Sequence, residues 1–401
     1  MDERSKKNYT EYYELLNIIG EGANGIVYKG RDKKTKILRA IKVLSIEKLK
    51  ENLLYQYEDK EEIDQQLNRY INRFIEEFQI MRICSYNNSN SVKCYEYFNN
   101  KDNFVIIMEL CDENLSELLC ERIKNKKKGF NSKEICLIMS QLNNTFKIMK
   151  ENNIIHRNLK LENILIKYNE ENKNYTLKLS AYGCSKRLSL STCWCNSFEG
   201  TVSYMAPEIL KREKYNYKCD LWSIGIIIYK LIFGNSPYRG EQEIAIINNI
   251  EKFGNKIIKK SGDEELDDLI KKLLEKEPIK RICWDEYFNN PFFKYKIENI
   301  FINDIPNVNT KQNNNEAKDS KNDLLFLLNE EKEKVKHLTE LLNAEKNKTQ
   351  NLSNDLEKEK EKVKYLIDEL KKEKDKNKQL LNKCNDIKKL NFNLNNNMLN
   401  K

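Results

Sequence analysis

Residues 156–163 read His-Arg-Asn-Leu-Lys-Leu-Glu-Asn, and residues 181–183 read Ala-Tyr-Gly. Further landmarks surround them in a fixed order. Upstream stand Gly20-Glu-Gly22-Ala-Asn-Gly25 and then Arg39-Ala40-Ile41-Lys42-Val43, an apolar strand carrying one lysine. Downstream stand Gly200-Thr201, Ala206-Pro207-Glu208, Asp220-Leu221-Trp222-Ser223-Ile224-Gly225 and Arg281. Each is weak alone, but chance production of all of them in this order is negligible.

The bulk numbers bound what surrounds this frame. A chain of 401 residues has room for two domains and a large core. Lys and Arg number 71 against 62 Asp and Glu, a net charge of +9. No basic stripe is interleaved with aromatics, so nucleic acid is not an expected partner. Eleven cysteines are scattered singly, apart from the two that flank Trp194, and this odd count argues against a disulfide framework. The only histidines, His156 and His337, lie near no cysteine pair, so no zinc site is expected. The cysteines read as reduced thiols of a cytoplasmic chain, mostly small buried hydrophobes. The polar start lacks the apolar core of a signal peptide. The most apolar run, 224–233, is too short to span a bilayer and reads as a buried helix.

Residues 1–12 form a polar lead-in, and from 13 to 293 apolar segments alternate with turn signals at globular density. Residues 294–322 read as a linker, since 307–322 carry almost no large apolar side chain to offset the entropy of ordering. From 323 to 400 glycine and proline are absent and apolar residues recur in heptads. One seam runs Leu328, Val335, Leu342, Leu356, Val363, Leu370; a second runs Leu338, Leu352, Leu366, Leu380, Ile387, Leu394. That alternation predicts a coiled coil and hence a homo-oligomer. Polar residues interrupt both seams, among them Glu345, Glu359 and Asn377.

A lone GxGxxG pattern also opens dinucleotide-binding folds, where a helix follows. Here Val27-Tyr28-Lys29-Gly30 follows, a second strand, which fits a glycine loop closing over phosphates. A stretch of helical character ends at 74–81; the long segment 48–70 before it has no evident role.

From 13 to 293 these segments resemble the eukaryotic protein kinase superfamily. Lys160 and Thr201 resemble its serine/threonine class. The resemblance implies an α+β, two-lobed fold: a β-rich N-lobe over about 13–110, a helical C-lobe over about 111–293, then the coil. It implies that Gly20, Gly22 and Gly25 cover the phosphates of ATP. Lys42 would grip them and pair with Glu77, with Glu76 as the alternative. Ile19, Val27, Ala40 and Leu165 would sandwich the base behind a gatekeeper Met108, with adenine bonded to the backbone of Glu109 and Cys111. Arg157 would clamp a phosphorylated Ser197; Ser189, Ser191 and Thr192 are lesser candidates. His156 would be structural, packing under Tyr182, and Arg281 would pair with Glu208.

Two departures matter most. The family carries aspartate where this chain has Asn158 and Ala181. Asn158 can orient a hydroxyl but cannot take its proton at neutral pH. Ala181 offers no metal ligand, which leaves Asn163 alone in a metal position and Mg2+ unexpected. Ser180 and Glu162 are poor replacements. The expected chain is a pseudokinase that binds ATP weakly with little dependence on magnesium. It would act on protein partners as a regulatory or scaffolding module. A slow kinase and a scaffold with a vestigial pocket are the alternatives.

Overall fold

The computed structural model describes residues 8–294, except 23–24, 101, 127, 170–173, 189–193 and 241, together with positions between 359 and 378. The chain divides into two units, 1–308 and 309–401. Ser189, Ser191, Thr192, most of the 294–322 linker and most of the 323–400 coil lie outside the described residues.

The first unit opens with a five-stranded antiparallel sheet in the order β1-β2-β3-β5-β4. Its strands are β1 (Tyr13–Gly22), β2 (Gly25–Asp32), β3 (Leu38–Ser45), β4 (Cys94–Asn99) and β5 (Asn103–Met108). Strand β3 shows the two-residue period of a sheet with two unlike faces. Ile41 and Val43 pack with Tyr13, Phe98, Val105 and Ile107 in a small outer cluster. Ala40 and Leu44 join the main core with Ile106 and Met108. Lys42 shares their parity, so the strand's one lysine faces inward.

Segment 48–70 forms most of α1 (Ile46–Leu54) and the first turns of α2 (Lys60–Ser85). Ser45 caps α1 by accepting from the Lys48 N–H, and Asp59 caps α2 by accepting from the Glu61 N–H. Along α2 the buried positions Ile63, Leu67, Phe74, Glu77, Met81 and Cys84 recur at helical spacing, the stripe of an amphipathic helix. A carboxylate therefore stands in an otherwise apolar row.

The remainder is mainly helical: α3 (Leu115–Lys126), α4 (Ser132–Glu151), α5 (Pro207–Leu210), α6 (Lys218–Phe233), α7 (Glu243–Phe253), α8 (Glu264–Leu273), α9 (Trp284–Phe288) and α10 (Pro291–Lys294). Asn131 and Glu134 close a capping box on α4. Every residue of α6 from Cys219 to Tyr229 is buried, as expected of a helix that is apolar nearly all round. It stops at Gly234, whose φ of +75° favours glycine. Arg281 donates to both carboxylate oxygens of Glu208 at 2.7 and 2.9 Å, a fully buried bidentate pair.

Short strands position the site. They are β6 (Glu113–Asn114), β7 (Ile154–Ile155), β8 (Ile164–Tyr168), β9 (Tyr175–Leu179) and β10 (Lys186–Arg187). Pairing of β8 with β9, and of β7 with β10, brings residues 156–163 and 180–185 side by side.

Among the described residues no helix is long and apolar enough to cross a membrane. The expectation that the cysteines are mostly buried needs correcting. Of the nine described, none in a disulfide, four are buried, four intermediate and one, Cys120, exposed. In the second unit the described positions are helical and exposed, and Lys362 pairs with Glu359 at 3.0 Å.

Candidate functional site

One side of the cleft is a cationic grip. Lys42 Nζ donates to both Glu77 oxygens at 2.6 and 2.7 Å. Glu77 is 2% exposed, so the pair is desolvated and each charge depends on the other. Glu76, one residue off the buried stripe, instead accepts from the Arg187 N–H. Gly25 lies at φ +115°, and a Cβ there would come within 2.4 Å of the Val43 carbonyl. At Gly22 a Cβ would meet nothing within 4 Å, and at Gly20 only Val27 at 3.8 Å.

The wall expected to face adenine is assembled from neighbouring strands. Ala40 is paired with Met108 across β3 and β5, Val27 with Lys42 across β2 and β3. Leu165 on β8 and Val27 are half-buried, and Ile19 is 46% exposed. The Glu109 N–H is taken by the Lys93 carbonyl at 2.9 Å. Among the described residues the Glu109 carbonyl and the Cys111 N–H have no protein partner, so one acceptor and one donor remain for a base. Burial raises the Cys111 thiol pKa to about 12, so it is a neutral wall group.

The loop at 156–163 hangs from α6. Asp220 accepts from the His156 and Arg157 N–H groups at 2.7 and 2.8 Å. Burial pushes its pKa up to about 6, while these two donors pull the other way. His156 Nε2 lies 3.0 Å from the Ser180 carbonyl, an atom that can only accept. That fixes the proton on Nε2 and leaves Nδ1 to accept from the Asn158 N–H at 3.3 Å. The ring is buried beside Tyr182, its centroid 5.2 Å away. Burial lowers its pKa to about 4, so it is neutral and already fully bonded.

Asn158 is held from two sides. Thr201 Oγ donates to its Oδ1 at 2.9 Å, and Asn163 Nδ2 donates to its backbone carbonyl at 2.8 Å. Lys160 follows, half-buried in extended backbone. It lies near Lys230, whose pKa is lowered first by burial and further by Lys160. Arg157, at φ +65°, donates to Ser197 Oγ at 2.6 Å and to the Cys184 carbonyl at 2.5 Å. The Tyr215 hydroxyl donates to the Ser197 carbonyl at 2.8 Å.

Magnesium does not fit these residues. Ala181 occupies the left-handed region at φ 60°, ψ 55° and brings only a methyl group. Asn163 has its amide nitrogen committed to Asn158, and Ser180 Oγ donates to the Asn163 carbonyl at 2.9 Å. Among the described residues no group of three or more His, Cys, Asp or Glu could hold a metal ion. One neutral amide oxygen is a poor donor set for an octahedral ion that proteins usually hold through one or two carboxylates, with waters and substrate phosphates completing the shell.

Three contacts escaped the sequence reading. Arg73, one turn before Glu77 on α2, is ion-paired with Glu199. That ties the helix carrying Glu77 to the segment carrying Ser197 and Thr201. The spacing of four residues from Glu77 was a usable signal; the identity of a partner 126 residues away was not. The buried Tyr182 hydroxyl lies 2.7 Å from Ser91 Oγ, a polar latch that phenylalanine would lack. Buried Lys178 pairs with Glu109 at 3.1 Å and bonds the Ser89 carbonyl.

Comparisons with known proteins agree with this geometry. Residues 13–293 match the family model described as "Protein kinase domain". The chain is 29% identical over 295 residues to serine/threonine-protein kinase TIO of Arabidopsis thaliana, covering 74% of this chain and 20% of that one. It is 31% identical over 293 residues to calcium-dependent protein kinase 3 of Plasmodium berghei (strain Anka), covering 72% and 48%. It is 32% identical over 293 residues to serine/threonine-protein kinase atg1 of Dictyostelium discoideum, covering 69% and 38%. The matched part thus spans about half or less of these relatives' own lengths. With the two-lobed fold, the Lys42–Glu77 pair and the loop braced by Asp220 in place, the chain belongs to the protein kinase family, with a domain of serine/threonine type.

Proposed function

We propose that this chain is a pseudokinase: it holds ATP without a divalent metal, transfers phosphate little or not at all, and regulates or scaffolds protein partners. The observation that carries this reading is the contrast within one cleft. Lys42 and Glu77 are closed at 2.6 Å, while the neighbouring positions that would supply a base and a metal ligand are Asn158 and Ala181. Phosphoryl transfer is mostly positioning and charge neutralisation, and the strand lysine with its glutamate is one of its two supports. Loss of a general base costs about 10²–10⁴ in rate. Loss of the metal ligand acts on the same transition state, so the two need not add.

The ATP ligands would be Lys42, the glycine loop and the backbone of Glu109 and Cys111. Magnesium would supply charge neutralisation at the phosphates, and the donor set here does not support it.

A slow kinase is the second reading. It is favoured by the Thr201–Asn158 contact at 2.9 Å, which holds the Asn158 amide in one orientation. Labelled γ-phosphate transfer to a generic protein acceptor separates the two. The pseudokinase reading expects no label above that of a Lys42→Met variant; the slow kinase expects label that this variant loses.

The 323–400 heptads would join two such heads. Ile367 and Leu370, 47% and 69% exposed, leave apolar surface for a second strand. Two linked heads raise the effective concentration for a bivalent partner. The cytoplasm is the compartment this reading implies.

A further inference from the structure

The C-lobe carries a second cleft, remote in sequence from every residue of the nucleotide site. It has a volume of about 390 Å³ and is formed where the end of α6, the loop after it, α7 and the segment after α7 meet. Its lining includes Tyr229, Ser236, Arg239, Asn249 and Lys259. A volume of this size falls at the small end of the range for small-molecule sites.

The charges around it are uneven. Nearby, Lys211 and Lys276 both pair with Glu251, and Arg212 pairs with Glu243, while among the described residues no carboxylate pairs with Lys252, Lys256 or Lys260, which adds to the local positive charge. Arg239 and Lys259 come from segments 20 residues apart and converge on the cleft. Among the described residues no carboxylate pairs with either. Two cations sharing a concave surface repel each other unless an anion sits between them.

The cleft is also braced. Asn249 Nδ2 donates to the Arg239 carbonyl at 2.5 Å, fixing the loop that carries the guanidinium. Tyr229 and Lys259 line the other wall together. Ser236 Oγ is buried on the wall and has no hydrogen-bond partner, which is uncommon in a native interior. Arg239 brings a planar fork suited to a phosphate, and Lys259 a compact point charge.

We propose that this cleft is an anion site separate from the nucleotide cleft, taking a phosphate group, free or as a small phosphomonoester, between Arg239 and Lys259. The site is independent of whether the chain transfers phosphate.

The test uses the full-length chain and calorimetric titration with inorganic phosphate and, separately, O-phosphoserine. Sodium chloride at matched ionic strength is the control. The variant is Arg239→Gln with Lys259→Gln. Both residues are exposed, so the fold should be retained, and the difference between the two proteins isolates this cleft from the nucleotide site. The expected result is saturable binding that the double variant weakens by about tenfold or more. Tighter binding of O-phosphoserine would identify an esterified ligand, and equal binding free phosphate; each supports the site. Binding that chloride reproduces, or that the double variant retains in full, would overturn it. Asn249→Ala should weaken binding less than the double variant; an equal response in all three proteins would again overturn it.

Discussion

The nucleotide grip and the transfer loop lie in one cleft and have been treated differently. At the grip the desolvated Lys42–Glu77 pair is complete, with Glu77 inside the buried stripe of α2. At the transfer loop the scaffold is complete, with Asn158 and Ala181 where the family carries aspartate: Asp220 anchors 156–157, His156 is fully bonded, and Thr201 reaches residue 158. What these bonds now hold is an amide, and across from it a methyl. The difference separates two properties usually seen together. Scaffold bonds run mostly to backbone atoms, so they survive substitution of the side chain that would do chemistry.

The largest effect should come from putting the carboxylates back. Asn158→Asp with Ala181→Asp should raise phosphate transfer by about 10²–10⁴ in the presence of magnesium, measured with a generic acceptor. No gain would mean that the scaffold itself is unfit for transfer, and the contrast between grip and loop would dissolve.

Breaking the grip comes next. Glu77→Ala leaves Lys42 charged and largely buried without its partner, which typically costs about 3–5 kcal/mol. Chemical denaturation should show a loss of that order, together with loss of ATP binding. A neutral result would mean the pair contributes nothing that packing does not.

A third test reads the loop through pH. His156 has its pKa lowered to about 4 when folded, so unfolding below its free value near 6.5 takes up a proton. Its contribution to stability is full above pH 6.5 and falls as pH drops toward 4, by up to about 1.4 kcal/mol per pH unit. Asp220, raised to about 6, acts with the opposite sign between about pH 4 and 6, so the two largely offset. In His156→Asn the Asp220 slope stands alone, and stability should fall as pH rises from about 4 to about 6. Parallel pH profiles for the two proteins would contradict the neutral, buried histidine.

The smallest effect is local. Ala181 sits at φ 60°, a region that disfavours a Cβ. Ala181→Gly should stabilise the domain by about 1 kcal/mol or less in thermal melts, because unfolded-chain entropy offsets part of the relief. A clear destabilisation would show that the methyl packs usefully.

Much of this was legible in the sequence because the kinase landmarks are local and ordered. The choice of Glu77 over Glu76 was available from periodicity, since Phe74, Met81 and Cys84 place residue 77 on the apolar side of α2. Segment 48–70 was harder. Its signals were Ser45 and Asp59 as caps, each followed by an acidic first turn, and Ile46, Leu49, Leu53 and Leu54 at helical spacing, but α1 is only nine residues long, a short window for a periodic pattern. Arg73–Glu199 and Tyr182–Ser91 were not legible, because each joins segments distant in the chain and depends on the final packing. The second cleft is of the same kind: Arg239 and Lys259 carry no motif, and only the turn after α6 brings them together.

The most direct test is the affinity for ATP, measured calorimetrically on the full chain with EDTA and then with excess magnesium. If the grip works without a metal site, the two dissociation constants should agree to within about threefold. Binding that appears only with magnesium, or tightens more than about tenfold, would contradict the account and require a metal site that Ala181 does not provide.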